Sequence, residues 1–438
     1  MNHRTIAIIG AGFSGSMLAV QIVRRSPGVR VLLIERTGVF GRGLAYGTTC
    51  PAHLLNVRAG RMSAFPDDMD HFVEWLRANR PELADPQGFV PRLIYGDYIQ
   101  SILADAGPRI ERITGEVVKV HETSEAAHLL LADGTAIEAD AVVLASGNPP
   151  PDDAKAGGLG DYDRYIADPW AADALDLVSP QDDVLMLGAG LTMIDVVLAL
   201  REQGWRGRAL ALSRRGLLPR PHNAVQAHAV ARKPEAPDLL GMVREVRTRM
   251  REIGWGEAMD EIRPFNQLAW RNATDAERGR FLRHLRPWWD VHRHRTAPQV
   301  GEDIAALVDA GRLRVAAGRI EMIEPVEDGL AIEWRARGAE KGRVESFGWM
   351  VNCTGPLADL SQSKDRLLTT MFADGVARVD RASLGLDVED DCRLQDRDGA
   401  PHKRLFAIGP PTKSVFWEVV AVPEIRVQAD ELAERLLG

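Results

Sequence analysis

The run IAIIGAGFSG, residues 6–15, restricts the fold more than any other stretch of this chain. Ile6, Ala7, Ile8 and Ile9 form a short apolar block without alternation, as expected of a strand in a parallel sheet covered on both faces. Gly10, Gly12 and Gly15 follow with GxGxxG spacing. In a strand–turn–helix unit the first glycine permits a tight turn, the second lets backbone approach a pyrophosphate, and the third lets helix and strand pack closely. The helix predicted from Ser14 would aim its first N–H groups at the phosphates. The next strand, VRVLLIE, ends at Glu35, where a carboxylate accepts hydrogen bonds from ribose hydroxyls and repels a 2′-phosphate.

The pattern recurs in VLMLGAGLTMIDVVLAL, residues 184–200. Gly188 and Gly190 repeat the first two glycines, but Met193 takes the third position, so this helix is expected to stand farther from its sheet or to shift. The following strand, RALALSRRG, ends in Ser213, Arg214 and Arg215 instead of an acid. A hydroxyl and guanidinium groups there suit the 2′-phosphate of NADPH; an ordinary surface arginine pair is the alternative. Each dinucleotide needs its own turn, so the pair points to FAD at the first and NADPH at the second. The expected class is α/β: two Rossmann-like dinucleotide-binding domains, the second inserted in the first, with a helical cap insertion. Residues 1–165 and 351–438 are expected to form the FAD-binding domain, and 178–350 the NADPH-binding domain, with the insertion at about 221–310. GNPPPDDAKAGGLGDY reads as a Pro/Gly-rich crossing between them.

Within the insertion, Leu239, Leu240, Val243, Val246 and Met250 recur at helical spacing. Thr274 and Glu277 form a capping box, and a further helix begins at Pro298 and ends at Gly311. Trp255, Trp270, Trp288 and Trp289 fall in this region, either as core or as walls of a substrate site. The tract WWDVHRHR, residues 288–295, reads as a connection between cap helices. His292, Arg293, His294 and Arg295 could clamp a substrate carboxylate or a cofactor phosphate, or could form a structural salt-bridge knot. Two histidines fall short of the three or four ligands a metal needs, and no metal is expected.

A net charge of −8 argues against nucleic acid as the main partner. No apolar run reads as a membrane span, and Cys50, Cys353 and Cys392 form no CxxC pair. A cytoplasmic protein is expected.

Beyond the glycine loops, GRGLAYG, LLNVRAGRMSAFPDD, VVLASGN, VNCTGP, LFAIGPP and FWEVVAVPEIRVQADELAERLL together resemble a bacterial FAD/NAD(P)-binding family related to flavin-dependent monooxygenases. The resemblance covers most of the chain. It implies that Asn56 lies near flavin and nicotinamide. It also implies that Arg36, Met62, Ser146, Gly355, Gly409 and Trp417 contact cofactor, with the positive end of the helix after Trp417 beside the reduced ring. Thr192 and Asp195 are the hydroxyl residue and acid that recur in such second loops. Met193 and the missing FxGxxxH fingerprint depart from the best-known flavin monooxygenases. The resulting expectation is an FAD-dependent, NADPH-using monooxygenase oxidising a small polar substrate, anionic in the clamp reading, with molecular oxygen through a flavin hydroperoxide. Self-association into a homo-oligomer is also entertained. The alternatives are an NADPH-dependent flavin reductase or dehydrogenase without oxygen transfer, and a non-catalytic flavin-binding redox sensor.

Overall fold

The computed structural model describes residues 4–151, 162–223, 230–236, 238–357 and 359–438. Most of the predicted Pro/Gly-rich crossing lies outside the described residues.

Two large sheets organise the molecule. The first has six strands, in the order Arg393–Gln395, Pro401–Ala407, Ala141–Leu144, Thr5–Ile9, Arg30–Glu35, Ile110–Thr114. The last five of these pair in parallel, and only the Arg393–Gln395 edge is antiparallel. It therefore draws strands from both ends of the chain. Ile6 to Ile8 and Val142 to Leu144 are fully buried, which matches their unalternating apolar pattern. The helix Phe13–Arg25 packs on this sheet and against the C-terminal helix Val422–Leu437.

The second sheet has seven strands and comes from the middle of the chain, in the order Arg343–Phe347, Gly329–Ala336, Leu313–Val326, Ala209–Ser213, Val184–Leu187, Trp349–Asn352, Tyr165–Ile166. A three-stranded meander, Val117–Glu122, Ala127–Leu131 and Ala136–Ala139, decorates the first domain. The two sheets give the expected α/β architecture, one nucleotide-binding unit set inside the other.

Three expected boundaries shift. Tyr165 and Ile166 pair with Met350 and Val351, so both ends of the second unit extend past positions 178 and 350. The helix Pro298–Asp309 is not part of the cap: Val300, Ile304 and Leu307 bury their side chains in the core of the second sheet. It is the crossover that joins parallel strands Ala209–Ser213 and Leu313–Val326. The cap is thus the helical run from Leu239–Ile253 to Arg286–Arg293. The WWDVHRHR tract, expected as a connection, is helical through Arg293 as part of the last of those helices, with His294 and Arg295 just past its end; Pro287 sits in its first turn, where a missing N–H is harmless. Thr274 and Glu277 cap the helix Asp275–His284 reciprocally, as the sequence predicts.

Candidate functional site

Two glycine turns at the carboxyl ends of the parallel strands are built alike. Gly10 has φ +102° and donates its N–H to the Ile34 carbonyl at 2.8 Å. Gly188 has φ +117° and donates to the Leu212 carbonyl at 2.8 Å. A Cβ at Gly10 would lie 2.5 Å from the Ala145 oxygen, and one at Gly188 would lie 2.3 Å from the Cys353 oxygen. Each turn is therefore wedged against the end of the neighbouring strand, and only glycine satisfies both the conformation and the space.

Gly12 and Gly190 then cap the two helices with extended backbone, and no side chain occupies either N-terminus. A Cβ on Gly12 would meet only Gly43 Cα, at 3.6 Å, and one on Gly190 would meet nothing within 4 Å. Free helix-end N–H groups beside open space are what a pyrophosphate requires, so both turns fit dinucleotides. The third positions differ. Gly15 cannot carry a Cβ, which would lie 2.0 Å from the Gly10 oxygen, whereas Met193 is fully buried between the second helix and its sheet. Where the first helix needs a glycine, the second carries a core side chain.

Around the first turn, Glu35 accepts the Ala11 N–H at 3.0 Å and bonds Thr37 through both its N–H and its hydroxyl. That fixes the carboxylate at the mouth of the turn, with lone pairs left for ribose hydroxyls. Gly409, at φ +76°, approaches Ser14 so closely that a Cβ there would lie 2.4 Å from the Ser14 Oγ. The first turn and the start of the C-terminal segment are thereby brought together, as the sequence reading requires. Ser146 is exposed just beyond the Ala141–Leu144 strand, and Arg36 is exposed and reaches Asp365 at 3.5 Å. Met62 is buried, its carbonyl held by the Tyr95 hydroxyl at 2.8 Å. Arg426, from the C-terminal helix, donates to the neighbouring Ser63 carbonyl at 2.8 Å.

Around the second turn, Thr192 is half-buried in the first helical turn and Gly355 follows the Trp349–Asn352 strand at φ +79°. Ser213 Oγ accepts the Gly216 N–H at 2.9 Å. Arg214 is exposed and has no ion-pair partner among the described residues, while Arg215 donates to the Arg283 carbonyl at 3.3 Å. Of the two arginines, Arg214 has the more exposed side chain.

The two units are clamped together at Asp195 and Asn56, which the sequence reading named, by Arg92, His53 and His222, which it did not. Arg92 forms a two-pronged ion pair with Asp195 at 2.8 and 3.1 Å, and the buried His53 ring bonds the Asp195 carbonyl at 2.8 Å. Asn56 lies at the same junction, half-buried, with its carbonyl held by His222 Nε2 at 3.0 Å. A carbonyl partner requires the proton on that nitrogen.

The WWDVHRHR helix departs from the clamp expectation. Arg293 Nε donates to Glu418 at 2.9 Å and its NH2 to Glu424 at 3.2 Å, with Arg263 also on Glu424 at 2.8 Å. Glu418 further accepts from Asn266 at 2.8 Å and from the Trp289 indole. Burial alone would raise the Glu418 carboxyl, but the Arg293 charge, with the Trp289 hydrogen bond, holds it below its ordinary value. Arg295 is spent on the His292 and Gly256 carbonyls at 2.9 and 2.8 Å, on Asp260 at 3.4 Å, and on the face of Trp255. His292 bonds the Trp288 carbonyl at 2.7 Å, and His294 stands 3.9 Å from Asp290. Burial lowers both rings, which keeps them neutral near pH 7. The two arginines thus form the salt-bridge knot, their charges neutralised internally with the two neutral rings packed beside them, and Arg293 ties the cap to the C-terminal segment. Trp417, expected at the cofactor, is 7% exposed. Its ring stacks on Trp270 at 4.3 Å inside the cap's aromatic cluster, whereas Trp288 is exposed.

No group of three or more His, Cys, Asp or Glu side chains among the described residues is arranged to hold a metal ion. No described helix is long and apolar enough to cross a membrane.

Residues 7–149 match the family model described as FAD-NAD(P)-binding. That span holds the first glycine turn, Glu35 and the strand ending at Leu144, which are the parts whose geometry fits a dinucleotide. No curated protein matches the chain by sequence. Solved structures match over its whole length. The reduced form of ornithine hydroxylase from Pseudomonas aeruginosa superposes with TM-score 0.67 at 16% identity, covering 100% of this chain and 99% of that one. Ornithine N-hydroxylase of Kutzneria sp. 744, in a structure with reduced FAD, NADP+ and L-ornithine, gives 0.67 at 14% identity and 100% of both chains. L-lysine 6-monooxygenase from Pseudomonas syringae gives 0.66 at 15% identity and 99% of both. The chain has the fold of two-dinucleotide-domain flavoproteins.

Proposed function

We propose that this protein is an FAD-dependent, NADPH-using monooxygenase. The observation that carries the reading is the pair of glycine turns without side-chain caps, one with Glu35 bonded to it and the other beside the strand that leads into Arg214, in a fold shared end to end with solved hydroxylases. Bound FAD would accept a hydride from NADPH and pass the electrons to molecular oxygen, one atom of which goes to a small-molecule substrate.

The chain's own residues supply position and exclusion of water. Gly10, Gly12 and the first turn after them hold the FAD pyrophosphate, Glu35 the ribose, and Ser14 with Gly409 brings the C-terminal segment against that turn. Gly188, Gly190 and Arg214 hold NADPH. The Arg92–Asp195 pair keeps the two units in one relative position, with Asn56 and His222 at their junction. The Arg293–Glu418 knot holds the cap down over the C-terminal segment, the place from which water must be excluded if oxygen is to reach substrate. Three unbridged thiols suit a reducing, cytoplasmic setting.

The purified protein should release FAD on denaturation, and NADPH should bleach its visible absorption without oxygen, faster than NADH does. On admitting air, peroxide should appear later than flavin reoxidation begins. Recovery of FMN or of no flavin after reconstitution sinks the cofactor assignment. Peroxide released stoichiometrically and at once would make the protein a reductase instead.

A further inference from the structure

The last cap helix, Arg286–Arg293, presents two polar faces. Arg293 belongs to the first and is spent on Glu418 and Glu424. Arg286, Asp290 and His294 recur every four residues and so share the second. Arg286 Nε lies 3.4 Å from one Asp290 oxygen, and the His294 ring lies 3.9 Å from the other. Lys413 stands near this second face. Its charge acts on Asp290 and on His294, and the Arg286 charge acts on it.

Lys413 comes from the first domain. It follows closely on Gly409, which abuts Ser14 in the first glycine turn. Its Nζ donates to Asn148 Oδ1 at 3.3 Å. Asn148 lies just past Ala145, whose carbonyl oxygen is wedged against Gly10. The strands that lead into these two residues, Pro401–Ala407 and Ala141–Leu144, are parallel neighbours. Lys413 and Asn148 therefore sit at the carboxyl end of the first sheet, beside its glycine turn. That is the crevice in which open α/β sheets receive ligands.

The charges here do not balance. Among the described residues Lys413 has no ion-pair partner, and its hydrogen bond to Asn148 is to a neutral amide, so N–H donors remain. Burial, then Arg286, pushes its amine down to about 8. Asp290 is a weak counterion: burial pushes its carboxyl up to about 6, and Arg286 already holds it. His294 is kept neutral, first by burial. Two cations thus face one weakened acid. The side chains of Arg286, Asp290 and His294 are 42%, 37% and 32% exposed, so a dissolved molecule can reach them. A cationic group would meet like charge, whereas one carboxylate would restore balance. We infer that Lys413 and Arg286 bind the carboxylate of a small organic acid between the last cap helix and the carboxyl end of the first sheet, with Asn148 holding the lysine in place. The inference rests on the proposed function in taking that acid as the substrate class.

The test is reductive amination of the FAD-loaded protein by cyanoborohydride with glyoxylate or with acetaldehyde, read lysine by lysine by mass spectrometry. The two aldehydes are of similar size, but only glyoxylate carries a carboxylate. The ratio of glyoxylate to acetaldehyde modification should be at least about tenfold higher at Lys413 than at the other lysines, a selectivity within reach of one charge–charge contact. Excess butyrate should remove that selectivity, and butyramide should not. Arg286→Gln should cut it at least about threefold while FAD content is kept. A ratio at Lys413 no higher than elsewhere overturns the inference with the wild-type protein alone, whether or not the variant folds. So does a Lys413 that reacts only once FAD is stripped, since the amine then belongs to the cofactor. Either result in a protein that holds FAD and oxidises NADPH leaves the proposed function standing. Glyoxylate selectivity at Lys413 in a protein that takes up no FAD overturns the proposed function instead and keeps the anion site.

Discussion

Replacing Arg293 by alanine separates a binding tract from a structural one. In the wild type its guanidinium bridges Glu418 and Glu424, whose side chains are 4% and 15% exposed. Alanine removes the cation and leaves Glu418 buried with only the Asn266 amide and the Trp289 indole as donors. Breaking a buried ion pair on one side costs about 3–5 kcal/mol. At ~2–4 °C per kcal/mol for large domains, the melting temperature should fall by roughly 6–20 °C. The pH dependence has a defined sign. Glu418 is held below its ordinary value, so its contribution is present above the unfolded carboxyl pKa and is lost as pH falls through the lower folded one. The gap between variant and wild type should accordingly be full at neutral pH and shrink in acid, where the unpaired Glu418 of the variant takes up a proton. Adding Glu418→Gln to Arg293→Ala should recover part of the loss, since it removes the unpaired charge. The assay is a thermal melt of the FAD-loaded protein at several pH values. A fall of less than about 2 °C, or one that does not depend on pH, would refute the knot and return the tract to a ligand-binding role.

Other substitutions probe the two turns and their junction. Gly15→Ala should abolish soluble FAD-loaded protein, because its Cβ would sit 2.0 Å from the Gly10 oxygen; Gly190→Ala, with nothing within 4 Å, should fold normally and raise the NADPH requirement, as steady-state kinetics and FAD content would reveal. Arg214→Ala should reduce the preference for NADPH over NADH by about ten- to a hundredfold, the equivalent of ~1.5–3 kcal/mol, with an unchanged melt; an unchanged ratio of reduction rates would remove Arg214 from the 2′-phosphate site. The His222 ring is pushed down to about 4, first by burial and then by Arg295 and Arg58, against the favourable bond to the Asn56 carbonyl. It should stay neutral through neutral pH in an NMR titration, and its contribution to stability should be full above the unfolded value of about 6.5 and decline as pH falls below it. A ring that titrates near 6.5 would contradict its placement at the junction.

Much of the fold could be read along the chain because its signals are local. Gly10, Gly12 and Gly15 act within a few residues, on a turn whose conformation and clearances only glycine allows. The apolar strand before them and Glu35 after them complete a unit short enough to be seen in one stretch of sequence. The same holds for Gly188 and Gly190, and for the Thr274–Glu277 box. Met193 at the third position marked the departure of the second unit, and it is buried in the second core.

Long-range polar pairing left no such trace. Arg293 meets Glu418, Arg92 meets Asp195, and His222 meets Asn56 only after distant segments have been folded together. A basic tract therefore looked like a clamp until its carboxylates were located, and an acid inside the apolar run FWEVV was the one hint of where they lay. Lys413 offered no hint at all, since a lone lysine gains meaning only from the charges that face it. Sequence by itself determined the two nucleotide turns and the alternation of strand and helix, because backbone conformation and steric clearance are set by near neighbours. Tertiary structure alone decided which charges are spent and which are left free, because a buried group's energy depends on every element packed around it.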